Sequence, residues 1–390
     1  MNREQTQTQK NCYLGFEQGP IRPPSEAYSL LIRATRNCPW NRCTFCPVYK
    51  GQKFSLRTPD QVKRDVDAVG KHLERLRSLA DSEGVLTRSA VVEASGGLGP
   101  EDMDAFSAAV QWAAAGMQSI FIQDANSLIM KPAGLAEVLR HIKSRFPWVE
   151  RITSYARSHT LSRISDQDMK MLRQAGLTRI HLGMESGSDR LLTLVKKGVT
   201  KQRQIEGGLR VKRAGIELSE YVMPGLGGVA LSREHALETA DALNQIDPEF
   251  IRLRTLRIFP GLELYDQWQA GLFQKCSEAQ VVEELVLFIE SLSGITSVIK
   301  SDHMNNLLEE VEGRLPEDRE AMLHELRGFL ALPAERQSRY FLGRGLGLFR
   351  GVADLEDPQK AGAVERAYRQ LNATPDTVED IILQLRAGRM

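Results

Sequence analysis

Three cysteines, Cys38, Cys43 and Cys46, crowd into the stretch RNCPWNRCTFCPVYKG of a chain that holds five. Outside oxidising compartments, such thiols are more often metal ligands or catalytic groups than disulfide partners. A structural zinc site needs four ligands, so zinc would also require Cys276 or a histidine. A [4Fe–4S] cluster held by three thiolates keeps one iron open to an external ligand, which gives three cysteines a chemical use. The pattern therefore favours the cluster over zinc, and Cys12 and Cys276 are predicted to be ordinary thiols.

Composition indicates a globular protein with no general affinity for polyanions. The chain has 390 residues, 42% of them hydrophobic, which is enough for a large core and predicts two domains. Its 51 Lys and Arg nearly cancel its 50 Asp and Glu, so no overall field favours nucleic acid or an anionic membrane, although a local patch stays open. The N-terminus lacks the apolar run of a secretory signal, and no stretch of ~18 apolar residues occurs. These features predict a cytoplasmic protein without a membrane partner.

Strand-like and helix-like patterns alternate between about residues 28 and 260. Six strands are predicted, at YSLLIRAT (28–35), SIFIQDAN (119–126), RITSYARS (151–158), TRIHLGME (178–185), IELSEYVM (216–223) and FIRLRTLRI (250–258). Amphipathic helices with Ser, Thr or Pro at their starts lie between them. Such alternation predicts parallel strands with helices outside.

Six strand–helix units, rather than eight, predict an α/β fold of the partial (β/α)6 TIM-like barrel type. Residues 80–115 interrupt the alternation and are predicted to be an insertion, a strand or loop followed by a helix. Beyond about residue 265 only helical patterns remain. The predicted domains are an N-terminal segment (1–27), a core (28–262) and a C-terminal α-helical domain (263–390). In this type of barrel the functional groups lie at the C-terminal ends of the strands, and the cysteine loop follows the first of them.

The ending Cys43-Thr44-Phe45-Cys46 resembles the cluster loop of the radical S-adenosylmethionine (radical SAM) superfamily, which closes with Cys-x-aromatic-Cys. The core is most similar to the elongator, methylthiotransferase and NifB branch, over about residues 28–262. Four residues separate Cys38 from Cys43, where the family has three. The resemblance implies that the three cysteines hold a [4Fe–4S] cluster, that SAM fills the open iron and that Phe45 packs near the adenine. It also implies an electron donor of the flavodoxin or ferredoxin type.

Polar residues at the end of the second predicted strand are candidate SAM contacts. FIQDANSLIM stands where the family has a Gly-Gly-Glu that binds the SAM amino group. Alternation places Asp124 and Asn126 on one face of this strand, so that both emerge at its end. Either group can accept a hydrogen bond from an ammonium. The alternative for Asn126 is a helix N-cap, a role that Ser127 could equally fill.

Two further strand ends carry predicted cofactor contacts. In HLGMESGSD, alternation turns His181 and Glu185 towards the barrel interior, where a charged group must be paired or bound to a ligand. The resemblance implies that Glu185 or Ser186 holds SAM through its amino acid or ribose hydroxyls, whereas His181 is either a core residue or a polar group facing the substrate. In SYARSHTL, Arg157 suits the SAM carboxylate, or forms a salt bridge to Asp124 or Glu185.

The resemblance implies an enzyme that reductively cleaves SAM to a 5′-deoxyadenosyl radical, but no residue is assigned as catalytic. We expect the substrate to be a small molecule. The alternatives are a tRNA- or peptide-modifying enzyme of the same superfamily, and a non-enzymatic relative of coproporphyrinogen oxidase that carries haem or electrons.

Overall fold

The structure is a computed structural model that describes residues 13, 15–81 and 85–387. Its strands are β1 (Leu30–Arg33), β2 (Thr35–Arg36), β3 (Ser55–Leu56), β4 (Ser119–Gln123), β5 (Arg151–Ala156), β6 (Arg179–Glu185), β7 (Glu217–Val222), β8 (Phe250–Leu253), β9 (Val298–Lys300) and β10 (Gly313–Arg314).

Fifteen α-helices are found in the described residues. They are α1 (Pro59–Ser78), α2 (Arg88–Ser95), α3 (Pro100–Ala114), α4 (Pro132–Arg145), α5 (Ser158–Leu161), α6 (Asp166–Gln174), α7 (Asp189–Leu194), α8 (Lys201–Arg213), α9 (Gly228–Ile246), α10 (Glu263–Gln269), α11 (Glu278–Ser291), α12 (Arg319–Leu330), α13 (Ala334–Leu346), α14 (Pro358–Gln370) and α15 (Val378–Ala387). Short 3₁₀-helices occupy Pro24–Glu26, Ser127–Ile129 and Val352–Glu356.

The chain divides into two compact units. The first unit comprises the described residues up to Asn41 together with Val48–Leu182 and Glu206–Leu218, and the second comprises Arg42–Pro47, Gly183–Ile205 and the residues from Ser219 onward. Each unit therefore contains part of the cysteine loop.

Parallel strands form the centre of the first unit. β1 pairs with β4, β4 with β5, and β5 with β6, all in parallel. Every residue of β4 is buried, as expected of a parallel strand that is covered on both faces. The helices α1, α3, α4 and α6 pack beside one another. Trp112 of α3 fixes the start of β4, because its Nε1 donates to the carbonyl oxygen of Ser119 at 2.9 Å.

Clear start signals explain where the main helices begin. Thr58 caps α1 in a capping box with Gln61, and Pro59 occupies the first turn, where its missing N–H is not needed. In the second unit, Ser277 and Gln280 form the same arrangement at the start of α11.

Parallel pairing continues inside the second unit. β7 pairs with β8 and β8 with β9 in parallel, while β10 is antiparallel to β9. The helices α9, α11 and α12 pack in sequence, and α13 packs against both α14 and α15. Within the described residues, no helix combines the length and the apolar character that a membrane crossing requires.

The fold class predicted from the sequence is confirmed, since the chain has the α/β class and the strand–helix alternation of a partial (β/α)6 barrel. All six predicted strands are present, and each is one to five residues shorter than its predicted range. Two differences stand out. The segment VVEAS in the 80–115 region belongs to α2 and not to a strand, and the short strands β9 and β10 lie beyond residue 265, where only helices were expected.

Candidate cofactor site

A closed loop carries the three clustered cysteines. β2 and β3 pair antiparallel, Thr35 with Leu56 and Arg36 with Ser55. Residues 37–54 therefore form a loop whose two ends are joined by this short ladder. Cys38, Cys43 and Cys46 are half-buried, and none of them is in a disulfide.

Asp124, directly after β4, holds both arms of this loop inside the first unit. Its buried carboxylate accepts the backbone N–H of Asn37 at 3.1 Å and the hydroxyl of Tyr49 at 2.8 Å. Arg33 at the end of β1 provides its counter-charge, with Nε at 2.8 Å and Nη2 at 2.7 Å. Burial and the negative charge of Asp124 raise the pKa of Tyr49, so the phenol stays protonated and donates. One carboxylate thus fixes the residue before Cys38 and the loop residue 49.

The long gap between the first two cysteines contains a turn. Asn37 and Asn41 have φ angles of 67° and 48°, a left-handed conformation that asparagine tolerates better than most residues. The N–H of Asn41 points at the sulfur of Cys38, at 3.4 Å, and its side-chain amide donates to the carbonyl oxygen of Tyr49. The unusual spacing therefore produces a backbone N–H directed at sulfur, a contact of the kind that tunes an iron–sulfur cluster.

The N-terminal segment supports the base of the same loop. Glu17 contacts three arginines of this region: Arg36 at 2.6 Å, Arg57 at 3.0 Å and Arg33 at 3.5 Å. Burial alone would raise the pKa of Glu17, but the hydrogen bond and charge of Arg36 and the charges of Arg57 and Arg33 outweigh it and lower the pKa. The carboxylate of Glu17 is thus held ionised among three cations.

Gly19 brings this segment against the end of β4. Its N–H donates to Oε1 of Gln123 at 2.7 Å, and Nε2 of Gln123 donates back to the carbonyl oxygen of Gly19 at 3.1 Å. A Cβ on residue 19 would collide with the carboxylate of Asp124, so only glycine permits this approach.

The second half of the loop is held in the second unit. The N–H of Thr44 donates to the carbonyl oxygen of Val195 at 3.1 Å, and the carbonyl oxygen of Thr44 accepts the N–H of Leu264 at 3.2 Å. Phe45 is 7% exposed and packs in an apolar cluster that also contains Val195 and Met223. Cys43 and Cys46 pack against this cluster. The predicted position of Phe45 near the adenine of SAM stays a prediction.

Asn126 links the ends of two neighbouring strands. It stands at the N-cap position of Ser127–Ile129, but its side chain makes no capping bond there. Instead Nδ2 donates to Oγ1 of Thr160 at 2.8 Å, and Oδ1 accepts the backbone N–H of Arg157 at 3.1 Å. The guanidinium of Arg157 lies 5.1 Å from the ring centre of Trp40, which belongs to the cysteine loop. Arg157 is thereby positioned beside the loop.

The end of β6 places Glu185 and Ser186 in different environments. Glu185 has a φ of 65°, uncommon for this residue type, and its carboxylate contacts Nζ of Lys197 at 2.9 Å. Ser186 is fully buried, and its hydroxyl is hydrogen-bonded to Nδ1 of His235 at 2.9 Å and accepts the N–H of Ser188 at 3.0 Å. Both remain predicted SAM contacts, of which Glu185 is the more accessible.

His181 is a buried, hydrogen-bonded residue of the first unit. Its Nε2 lies 3.2 Å from the carboxylate of Glu26 and 3.3 Å from the hydroxyl of Ser25. Burial would raise the pKa of Glu26, but the hydrogen bond and charge of His181 and the charge of Arg151 outweigh it and lower the pKa. Of the two predicted roles for His181, the contacts match the core residue.

Glu220, in β7, is a buried acid that the sequence analysis did not single out. It is fully buried, and neither carboxylate oxygen has a hydrogen-bond partner among the described residues. Burial raises the pKa of Glu220 well above its ordinary value, the charge of Lys197 lowers it and that of Glu185 raises it further. The available signal was the alternation of β7, which puts Glu220 on the same face as the buried Leu218 and Val222.

Within the described ranges, no group of three or more His, Cys, Asp or Glu side chains is arranged so that it could hold a metal ion. The donor chemistry nevertheless fits an iron–sulfur cluster, because three half-buried thiols lie on one short loop. Cys276 differs from them: burial, and then the charge of Glu284, raises the pKa of its thiol to about 12. Cys12 lies outside the described residues.

Comparison with known families matches residues 91–240 to the radical SAM superfamily. Over these residues the chain is similar to a radical SAM domain. The matched segment starts after the cysteine loop and includes all the predicted polar SAM contacts: Asp124, Asn126, Arg157, Glu185 and Ser186. Radical SAM proteins are enzymes that bind a [4Fe–4S] cluster and SAM, so the family and the two cofactors predicted from the sequence are confirmed.

Curated relatives of the chain include proteins named tRNA uridine(34) acetyltransferase. The tRNA uridine(34) acetyltransferase of Methanocaldococcus infernus is 25% identical over 120 residues, which is 30% of this chain and 22% of the relative. A methyltransferase of Pyrococcus horikoshii described as uncharacterised is 23% identical over 114 residues, 29% of this chain and 24% of the relative. The matched segments thus span about a quarter of these relatives.

Solved structures give partial similarities. Elp3 of M. infernus has a TM-score of 0.41 and 18% identity, over 53% of this chain and 55% of that chain. Coproporphyrinogen III oxidase of Escherichia coli has a TM-score of 0.43 and 11% identity, over 73% of this chain and 61% of that chain.

The role of Asp124 can be tested with Asp124→Asn, which keeps its size but removes its charge. Because Arg33 would lose its buried counter-charge, we expect the free energy of unfolding to fall by roughly 3–5 kcal/mol in urea titrations. We also expect reconstituted protein to retain less iron. Asp60→Asn is the control, since Asp60 is exposed and pairs only at the surface. Unchanged stability and iron content with weakened SAM binding would instead make Asp124 a SAM contact.

Glu220 is expected to lower the stability of the fold, because its buried carboxyl group has no hydrogen-bond partner among the described residues. Glu220→Leu should therefore raise the free energy of unfolding by roughly 1–3 kcal/mol. An ordinary glutamate in the unfolded chain has a pKa of about 4.3, whereas the folded protein holds Glu220 protonated. Wild-type stability is therefore lost as pH rises above the unfolded pKa, and the gain in Glu220→Leu should grow from pH 5 to pH 8. Urea titrations at both pH values measure it. A pH-independent difference would show that Glu220 is ionised in the fold.

Proposed function

We propose that the chain is a radical SAM enzyme that binds a [4Fe–4S] cluster through Cys38, Cys43 and Cys46. It would reductively cleave SAM and direct the 5′-deoxyadenosyl radical at a small-molecule substrate. The observation that carries this proposal is the cysteine loop itself, closed by the β2–β3 ladder and tied to the end of β4 by Asp124.

The cluster, when bound, supplies the electron that breaks the carbon–sulfur bond of SAM. The chain's own residues bind and orient. The three thiols would ligate iron, while Glu185 and Arg157 would meet polar groups of SAM and Phe45 its adenine. Asp124, Asn126 and Ser186 are kept as SAM contacts in this proposal, and their hydrogen bonds to neighbouring residues would hold the site in shape.

The proposal requires a one-electron donor, for which a flavodoxin or ferredoxin of the cytoplasm is the class that we expect. The substrate is open to a second candidate, because relatives named tRNA uridine(34) acetyltransferase match part of the chain. A tRNA substrate would therefore be the alternative to a small molecule.

Cluster binding is tested first by anaerobic reconstitution. We expect about four irons per chain, and Cys43→Ala and Cys46→Ala should abolish iron binding because each removes a thiolate. Cys276→Ala is the matched control and should leave the iron content unchanged, since its thiol is buried with a raised pKa. Iron lost from Cys276→Ala would show a fourth thiolate, and zinc without iron would exclude the cluster.

Catalysis and substrate class are tested by following 5′-deoxyadenosine after reduction in the presence of SAM. The wild type should release it and Cys46→Ala should not. A protein-free and nucleic-acid-free extract that stimulates release supports a small molecule, whereas stimulation by purified tRNA alone supports the second candidate. If the protein with a fully loaded cluster releases no 5′-deoxyadenosine, the proposed catalysis is wrong. The remaining hypothesis is then a non-enzymatic carrier of haem or electrons.

A further inference from the structure

A cavity of about 260 Å³ is lined by residues of the second unit. Its walls come from residues 255–260 after β8, from α10, from the start of α11 and from α15. The volume is close to the lower limit of ~300 Å³ for small-molecule sites, so one ring-sized molecule would fill it.

Hydrogen bonds hold the wall that follows β8. Oδ1 of Asn306 accepts the backbone N–H of Thr255 at 2.9 Å, and Nδ2 of Asn306 donates to the carbonyl oxygen of Leu253 at 2.8 Å. The N–H of Leu256 donates to the carbonyl oxygen of Pro224 at 2.9 Å. This wall is therefore formed before any ligand arrives, as is usual for small-molecule sites.

The opposite wall, from α15 and the start of α11, is acidic. α15 packs on α13, where a Cβ added to Gly345 would meet Ile382 at 2.9 Å. Glu379 of α15 accepts the N–H of Glu278 at 2.8 Å and lies 3.6 Å from Nζ of Lys275. With two carboxylates and one ammonium, this wall would repel an anion.

Aromatic and aliphatic side chains form most of the described lining. Phe259, Tyr265 and Trp268 contribute rings, and those of Tyr265 and Trp268 meet edge to face with their centres 5.8 Å apart. Aromatic rings gain energy from edge and face contacts beyond the area that they bury. The lining therefore favours a flat, apolar ring.

Arg257 places a positive charge on the wall after β8. Its guanidinium lies over the ring of Phe259, 5.7 Å from the ring centre, and donates to Oδ1 of Asn305 at 3.2 Å. A guanidinium has five N–H donors, so this hydrogen bond does not prevent Arg257 from binding a carboxylate.

A second arginine strengthens the positive charge on this side. Burial, and then the charge of Arg254, lowers the pKa of His303 to about 4, and Arg257 adds to the decrease although Asp302 opposes it. His303 is thus neutral at pH 7. An anion is favoured beside Arg257 and disfavoured at the acidic wall.

The cavity adjoins the apolar cluster that holds part of the cysteine loop. Leu256 lines the cavity and belongs to the cluster of Phe45, and Ile258 lines the cavity and packs against that cluster. Cys43 and Cys46 pack against the same cluster. A ligand in the cavity would therefore contact side chains that support the two cysteines.

We propose that this cavity binds the small-molecule substrate and that the substrate is an aromatic carboxylic acid. Its ring would lie among Phe259, Tyr265 and Trp268, and its carboxylate would be bound by Arg257. The inference rests on the proposed function, because it takes the chain to be an enzyme that acts on a small molecule. It also gives α15 a role, as one wall of the substrate site.

Three probes with the same indole ring test the charge preference, by isothermal titration calorimetry of the reconstituted protein at pH 7.5. Indole-3-acetate is an anion, 3-methylindole is neutral and tryptamine is a cation. We expect indole-3-acetate to bind roughly tenfold more tightly than 3-methylindole, and tryptamine to bind less tightly than indole-3-acetate. Equal binding of the anion and the neutral probe, tightest binding of tryptamine, or no binding at all would overturn the proposal.

Arg257→Gln removes the charge and keeps a hydrogen-bonding side chain. It should bind 3-methylindole like the wild type but indole-3-acetate roughly tenfold more weakly, whereas Trp268→Leu should weaken both. Arg327→Gln is the matched control, because Arg327 is exposed on α12, pairs with Glu290 and does not line the cavity. Melting temperatures show that the variants are folded. Unchanged affinity of Arg257→Gln for indole-3-acetate would contradict the proposed contact.

Saturation with SAM separates this cavity from the cofactor site. Indole-3-acetate should bind at least as tightly to the protein saturated with SAM as to the protein without it. Displacement of indole-3-acetate by SAM would show that the cavity is part of the cofactor site, and the inference would be wrong.

Release of 5′-deoxyadenosine connects the cavity to the substrate. Indole-3-acetate should suppress the stimulation by the nucleic-acid-free extract, and more extract should restore it. Arg257→Gln should need roughly tenfold more extract for half-maximal stimulation, and Arg327→Gln should need no more than the wild type. If the probe binds without suppressing the stimulation, this inference fails and the proposed function stands. If the wild type releases no 5′-deoxyadenosine under any condition, the proposed function fails with it.

Discussion

The carboxylate of Asp124 is the contact on which the cysteine loop depends. A buried charge is expensive unless it is paired and hydrogen-bonded, and Asp124 has both kinds of partner. Arg33 supplies the charge from β1, while Asn37 and Tyr49 supply donors from the two arms of the loop. Both arms of the loop are thereby fixed to the end of β4 and, through Arg33, to β1.

Polar groups around the predicted cofactor contacts fall into two kinds. Asp124, Asn126 and Ser186 already have protein partners that hold neighbouring elements in place. Glu220 has no hydrogen-bond partner among the described residues, and its neutral form is the one that the fold tolerates. The first kind gives the site its shape at a gain in stability, whereas the second reduces stability. Such a cost is typical of residues that are kept for function.

Features that depend on neighbouring residues could be predicted from the sequence, whereas contacts between distant residues could not. The six predicted strands have four to seven residues, which is long enough for their apolar patterns to be recognised. β9 has three residues and β10 two, too short for a period of two to be visible. The cysteines were recognisable because their spacing is local.

Partners could not be predicted in the same way, because they come from distant parts of the chain. Tyr49 reaches Asp124 across 75 residues, and Glu17 reaches Arg36 across 19. Glu220 was overlooked for a different reason, since a strand that alternates between two buried faces gives no polar side against which an acid stands out. The partners of these side chains are therefore known only from the structure.

The contacts of Glu17 and Gly19 bear on how this protein should be shortened or tagged. Residues 1–27 look separable by sequence, yet Glu17 meets three arginines at the base of the cysteine loop and Gly19 is bonded to the end of β4. A chain cut by a protease at residue 27 would leave Arg33, Arg36 and Arg57 with one carboxylate fewer between them. Glu17 and Gly19 therefore support the cysteine loop, and their removal would weaken it while leaving Cys38, Cys43 and Cys46 in place.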